Sequence, residues 1–114
     1  MTENQTLDTI KAFINTENEF LRKCYYPHAP EEQITYAKVV KIMEEVGELS
    51  DIVLKSYHLQ RRSKMSAKET SVEDELSDVL ITTLLLAKHL NIDTEKALLS
   101  KISRIESRRD PLPE

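Results

Sequence analysis

Residues that make turns are scarce in this sequence. One glycine and four prolines stand among 114 residues, so few positions favour the tight turns that join the strands of a sheet. Leucine, glutamate, lysine and isoleucine are abundant, and most of these are strong helix formers. The length suits one domain. The composition therefore predicts a single all-α domain over residues 1–114.

Cysteine and long apolar runs are also scarce. Cys24 is the single cysteine, which excludes an internal disulfide framework and is typical of a reducing cytosol. No apolar run approaches the roughly 18 residues of a membrane span, and the first residues lack the apolar core of a signal peptide. The net charge of -4 argues against nucleic-acid binding. We therefore expect a cytoplasmic protein with neither a membrane nor a nucleic-acid partner.

Apolar residues recur every three or four positions along most of the chain, which indicates helices. Thr6 can cap a first helix, which should end in the proline-containing segment 24–30, because proline disfavours helix at the residue before it. Pro30 suits the first position of a second helix. This helix should fray in the basic, polar stretch 61–64.

The second half of the chain predicts two further helices. Ser71 begins a segment that resembles a capping box, and the third helix should run from there to His89. Its centre, residues 79–87, is apolar on nearly every face, as in a helix enclosed by neighbours and by a partner subunit. Asp93 can cap a fourth helix, and the tail 109–114 should be extended or disordered. We expect an antiparallel four-helix bundle that forms a homo-oligomer.

One acidic pattern occurs twice. Residues 48–54 read ELSDIVL, and residues 75–81 read ELSDVLI. Glu44 and Glu45 precede the first copy and complete the pattern Glu-Glu-x-x-Glu. Residues three positions apart lie about 60° apart around a helix and one turn apart along it. Two facing antiparallel helices would therefore direct four carboxylates towards one point, namely those of Glu45, Glu48, Glu75 and Asp78.

Four carboxylates packed together repel one another unless a cation neutralises them. Oxygen-only ligands suit a hard ion such as Mg²⁺, or Mn²⁺ in its place. The acidic motifs contain no histidine, which argues against zinc and di-iron sites. Magnesium often completes its shell with substrate phosphates. The alternative is a solvated acidic face, but apolar neighbours place the acids at the edge of the core, namely Val46, Leu49, Leu76 and Val79.

The two acidic segments and their spacing resemble the signature of MazG-like proteins, a branch of the all-α nucleoside triphosphate pyrophosphohydrolases. The resemblance covers the second to fourth helices, and residues 91–93 with the later Lys101 and Arg108 are similar to the family's later segment. It implies magnesium-dependent cleavage of a nucleoside triphosphate between the α and β phosphates, giving a monophosphate and pyrophosphate. Removal of unwanted nucleotides is the cellular role that it suggests.

By this resemblance the metal ligands are Glu45, Glu48, Glu75 and Asp78. Glu44 is the extra acid of the motif, and Glu44 and Glu45 are the candidates for catalytic, water-orienting roles.

Basic side chains should contact the polyphosphate. Lys38 and Lys55 each stand seven residues from a motif acid and so lie near the same helical face. Lys101 and Arg108 are candidates by similarity to the family. The alternative for each lysine is a solvated partner of a helix acid, as Lys41 is expected to be for Glu45.

Two positions differ from relatives specific for pyrimidine deoxynucleotides. Those relatives tend to have Tyr near Thr82 and Asn near Ile105, so their base preference does not transfer to this chain. Tyr25 and Tyr26 could line a base pocket or simply cover the core. Three functions stay open: the nucleoside triphosphate hydrolase, a phosphoribosyl-ATP pyrophosphohydrolase, and a non-catalytic helical dimer that binds partners. For the nucleoside triphosphate hydrolase a homodimer or homotetramer is expected.

Overall fold

A computed structural model describes the backbone of residues 3–57 and 70–113. These residues form four helices and no strand, so the all-α prediction is confirmed. The helices are α1 (Glu3–Tyr25), α2 (Glu31–Ser56), α3 (Val72–His89) and α4 (Thr94–Ser107). The fraying predicted for residues 61–64 lies outside the described residues. None of the described helices is long and apolar enough to span a membrane.

Two predicted helix starts need correction. Thr6 does not cap α1, because the helix already includes Glu3. The residues just before Thr6 also adopt a helical backbone and so extend the helix towards the N-terminus. Pro30 is the residue before α2 and not its first residue. It has an extended backbone (φ -60°, ψ 151°), while its carbonyl accepts a hydrogen bond from the Ile34 amide at 3.2 Å.

The caps of the other two helices follow the prediction. Ser71 Oγ accepts a hydrogen bond from the Asp74 amide at 3.1 Å, at the start of α3. Asp93 Oδ1 accepts one from the Lys96 amide at 3.1 Å, at the start of α4. Between these helices Asn91 has φ 58°, a left-handed conformation that asparagine tolerates better than most residues. The break predicted between α3 and α4 is confirmed.

Helix α3 lies at the centre of the molecule, and α1, α2 and α4 all pack against it. Helices α2 and α3 are antiparallel, since Thr35 near the start of α2 lies 2.9 Å (Oγ1 to Nε2) from His89 at the end of α3. Towards their other ends Glu48 and Glu75 lie side by side. Within the described helices α2 and α4 do not pack together, so one chain does not close a bundle.

The core of a single chain is small. Its buried apolar residues, among those described, are Ile14, Ile34 and Leu85, one from each of α1, α2 and α3. Helix α4 buries none, and Leu80 in the centre of α3 is 58% exposed; the predicted enclosure of α3 is therefore not achieved within one chain. The radius of gyration is 17.7 Å, against about 13 Å for a compact domain of this length.

Candidate metal centre and adjoining cavity

Three of the four predicted metal ligands converge at the α2–α3 interface. One carboxylate oxygen from each of Glu45, Glu48 and Glu75 lies within 4.8 Å of the other two; we call these three residues the acidic cluster. Opposite oxygen ligands of one Mg²⁺ ion stand about 4.2 Å apart, so small side-chain movements would let the cluster share an ion. The antiparallel packing of α2 on α3 produces this convergence.

Asp78, the fourth predicted ligand, lies outside this group of three but close to it. Burial raises the pKa of Asp78 above its ordinary value of 3.8, and the negative charges of Glu45 and Glu75 raise it further. Asp78 also lines the same cavity as Glu45. The structure therefore places Asp78 at the edge of the cluster, where a modest rotation or a water molecule could connect it to a shared cation.

The cluster is electrostatically crowded. The charge of Glu45 is the largest cause that raises the pKa of Glu48 above its ordinary value of 4.5, followed by burial and by the charge of Glu75. Lys41 relieves part of this repulsion, because its Nζ lies 3.1 Å from Glu45 Oε1. One ammonium does not balance three carboxylates, so the cluster carries excess negative charge that a divalent cation would neutralise.

Two oxygens of the cluster are buried and have no hydrogen-bond donor among the described residues. They are Oε2 of Glu45 and Oε2 of Glu75, and each residue is only 6% exposed. Buried polar atoms in folded proteins nearly always have a partner, and an unpaired buried carboxylate oxygen is costly. A hard divalent cation is the partner that an all-oxygen donor set suits. The residues present therefore fit the predicted magnesium site.

Glu44, the other predicted catalytic acid, stands beside the cluster and not within it. Its side chain is about half exposed, and its Oε2 lies 3.6 Å from Lys41 Nζ. Lys41 thus contacts both members of the Glu-Glu pair, as expected for a helix partner of Glu45.

A cavity of about 540 Å³ adjoins the cluster. Helices α1, α2 and α3 all contribute to its wall, which combines acids, lysines, aromatic rings and small or apolar side chains. The lining residues are Glu17, Phe20, Leu21, Tyr25, Tyr26, Ala37, Lys38, Lys41, Glu45, Asp78, Thr82 and Leu85. Its volume lies within the range of about 300–1,000 Å³ typical of small-molecule sites.

The predicted substrate-binding cations occupy different environments. Lys38 is buried and lines the cavity. Lys55 pairs with Asp51 at 3.6 Å and does not line the cavity. Lys101 and Arg108 are exposed at α4 and also lie away from it. The structure therefore brings one of the four predicted cations to the acid-lined cavity.

Thr82 and Ile105, the two positions that differ from the pyrimidine-specific relatives, lie in different parts of the structure. Thr82 lines the cavity, and its hydroxyl donates to the Asp78 carbonyl at 2.8 Å. Ile105 is exposed on α4.

Helix α1 supplies a wall of the cavity, and the sequence predicts only part of this wall. Phe20 and Tyr25 are in edge-to-face contact, with ring centroids 6.2 Å apart, and Glu17 lines the cavity beside them. No motif marks Glu17 or Phe20, because their place in the wall depends on the packing of α1 against α3. Only the pair Tyr25 and Tyr26 carried a local signal, as aromatic residues beside a proline break.

A polar junction holds the ends of three helices together near this wall. The His89 side chain is only 2% exposed, and its ring contacts Thr35 on one side and Arg22 on the other, the latter at 3.4 Å. Arg22 also forms an ion pair with Glu31. The junction fixes the last turn of α1 against the start of α2 and the end of α3.

The family comparison agrees with this geometry. A model of the MazG-like family matches residues 36–109, a range that covers more than half of the chain and includes all four predicted ligands. The chain belongs to the MazG-like family. Membership suggests a pyrophosphohydrolase-type role, and the family is usually dependent on a divalent metal. No curated protein and no solved structure matches the chain. The match begins within α2, so the MazG-like match does not include the wall that α1 contributes.

Proposed function

We propose that this MazG-like protein is a magnesium-dependent nucleoside triphosphate pyrophosphohydrolase. The observation that carries the proposal is the pair of buried, unpartnered carboxylate oxygens beside a cavity of nucleotide size. The family suggests the same class of reaction. The reaction would break the bond between the α-phosphorus and its bridging oxygen, and water would supply the oxygen that stays on the monophosphate.

The acidic cluster, together with Asp78, would hold the magnesium ion. When bound, this ion polarises phosphoryl oxygens and offsets the negative charge of the transition state. Lys41 would keep Glu45 in place through its 3.1 Å contact. Glu44, which stands beside the cluster and contacts Lys41, would orient the attacking water and accept its proton, while pyrophosphate leaves on the opposite side of the phosphorus.

The aromatic wall would receive the base. Phe20, Tyr25 and Tyr26 line the cavity together with Glu45, so a triphosphate bound at the acids could place its base against these rings. A role in clearing unwanted nucleotides is compatible with a wall built from general stacking surfaces, because every base has a face that can stack.

The proposal predicts that Glu48→Gln abolishes magnesium-dependent pyrophosphate release. This substitution keeps the size of the side chain and its helix propensity but removes a ligand charge. We expect a loss of at least about 100-fold in kcat/KM, since metal-site changes act on binding and on transition-state charge together. The measurement is pyrophosphate release from a panel of standard and modified nucleoside triphosphates.

Glu106→Gln provides the matched control, because Glu106 is exposed on α4 and lies outside the cluster and cavity. Equal activity of the native chain and Glu48→Gln would contradict the proposed metal site. If no triphosphate is cleaved, phosphoribosyl-ATP is the next substrate to test. A negative result there as well would favour the non-catalytic, partner-binding function.

We further propose that the active form is a homo-oligomer. Helix α4 carries an apolar stripe that nothing in the described chain covers, namely Leu98, Leu99, Ile102 and Ile105. Patches of this kind mark association surfaces, and a second copy would bury α4 and raise the small apolar burial of the single chain.

A further inference from the structure

Lys38 is a largely buried residue whose ammonium has no carboxylate partner in the part of the chain that the structure describes. The residue is 7% exposed and lines the cavity beside Lys41, Glu45 and Asp78. Two cations near Lys38 already have partners: Lys41 contacts Glu45 and Arg22 contacts Glu31. No carboxylate among the described residues pairs with the Lys38 ammonium.

The surroundings of Lys38 disfavour its charge. Burial is the main cause that lowers the pKa of Lys38 below its ordinary value of 10.5, and the positive charge of Arg22 lowers it further. An ammonium that has lost part of its hydration gains from an anion or from several acceptors. The Lys38 side chain lines the cavity, so an anion bound there could reach its ammonium.

The position of Lys38 indicates which kind of anion it could bind. It precedes Glu45 by seven residues, hence by two turns or about 10 Å along α2, and both residues line the same cavity. A polyphosphate held at the acidic cluster by magnesium would extend along this wall. The long, flexible lysine side chain can then meet an oxygen that the metal does not hold, whereas Lys41 is already occupied by Glu45.

We infer that Lys38 binds a phosphate group of the substrate and that the polyphosphate is its counter-ion. The inference rests on the proposed function for the nucleotide, but the binding of a polyphosphate anion at Lys38 can be tested without catalysis. The alternative is that the aliphatic stem of Lys38 packs against apolar neighbours while its ammonium reaches water in the cavity.

Phosphate binding and simple packing predict different effects of Lys38→Met on anion affinity and on the Tm. Isothermal titration calorimetry of the full chain with magnesium and inorganic pyrophosphate, or tripolyphosphate, measures anion binding; the Tm of the ligand-free protein measures stability. If Lys38 binds phosphate, Lys38→Met weakens binding at least about tenfold, in the range of a lost charge-assisted hydrogen bond, while its Tm is unchanged or higher. Lys38→Arg should keep most of the affinity.

Lys23→Met is the matched control, because Lys23 is exposed on α1 and pairs with Glu19; it should bind pyrophosphate like the native chain. Native affinity in Lys38→Met would overturn the inference, as would a fall in Tm with unchanged affinity. If Lys38→Met does not fold, Lys38→Gln replaces it under the same criteria. Triphosphate cleavage that is unaffected by Lys38→Met would refute this inference alone, whereas binding through Lys38 without any cleavage would refute the proposed function alone.

Discussion

Single residues show where this chain departs from the rules of a stable interior. Within residues 3–57 and 70–113, Glu45 and Glu75 are buried and each has one oxygen without a hydrogen-bond partner, and the largely buried Lys38 has no carboxylate partner. Buried groups of this kind cost stability unless they are paired. The acidic cluster at one end of the cavity is complementary to a metal ion. Lys38, further along the cavity, is complementary to a polyphosphate bound to that ion. These costs are therefore best explained by a ligand.

The raised pKa values of Glu48 and Asp78 predict a pH-dependent penalty in the metal-free protein. Because the folded state holds these protons more tightly than the unfolded chain, stability falls as pH rises from the ordinary pKa values through the raised ones. Glu48→Gln removes one such group. Without magnesium, its Tm should therefore exceed that of the native chain at neutral pH, and this gap should close below about pH 4, where the carboxyl is protonated in both states.

Calorimetric scans in a chelator across this pH range would measure the gap. Saturating magnesium should then raise the Tm of the native chain at neutral pH more than that of Glu48→Gln, because a bound ligand stabilises only the folded state that holds it. A variant that is less stable than the native chain at neutral pH without metal would contradict the crowded cluster.

Among the helices, features that neighbouring residues determine could be predicted from the sequence, whereas features that depend on packing between helices could not. Ser71 and Asp93 were identifiable as caps because a cap needs only its own side chain and an amide three residues on. The repeated acidic pattern located the four candidate ligands, because one turn of helix sets their spacing. The place of Phe20 and Lys38 in the cavity wall could not be predicted, since it depends on how α1 and α2 are placed against α3.

The Ser71 cap links helix stability to the site, since Glu75 is one turn beyond it on α3. Ser71→Ala should lower the free energy of unfolding by about 1 kcal/mol and also weaken magnesium binding, because a frayed first turn misplaces Glu75. Asp93→Ala is the matched control: it removes the equivalent cap of α4 at a similar cost but leaves the cluster intact.

Denaturant unfolding and magnesium titration of both variants would check this pair of effects. Equal magnesium affinity in Ser71→Ala and the native chain would show that the first turn of α3 does not position Glu75.

As a whole, the single chain is more extended than a compact domain of its length, with a radius of gyration of 17.7 Å against about 13 Å. Its described core has three buried apolar residues, and the apolar stripe of α4 is exposed. The apolar centre of α3 predicted a partner subunit, and this stays a prediction; the exposure of the stripe on α4 could be recognised only once the helices were placed. Lys101 and Arg108 lie on or just after α4.

The exposed stripe predicts that Ile102→Glu dissociates the oligomer. A charge in the middle of a buried apolar contact is strongly unfavourable, so the variant should sediment as a monomer with a lower Tm. Leu112→Glu is the control, because Leu112 is 84% exposed in the tail beyond α4. Analytical ultracentrifugation would measure both, and a native chain that sediments as a monomer would contradict the proposed assembly.

The proposed function requires that water attacks the α-phosphorus of a nucleoside triphosphate whose magnesium ion the acidic cluster holds. Product analysis of the native chain with magnesium and the triphosphate panel, in water labelled with oxygen-18, tests this directly. We expect nucleoside monophosphate and pyrophosphate in equal amounts, with the label in the monophosphate. A nucleoside diphosphate with orthophosphate, or a label that appears in pyrophosphate, would contradict it.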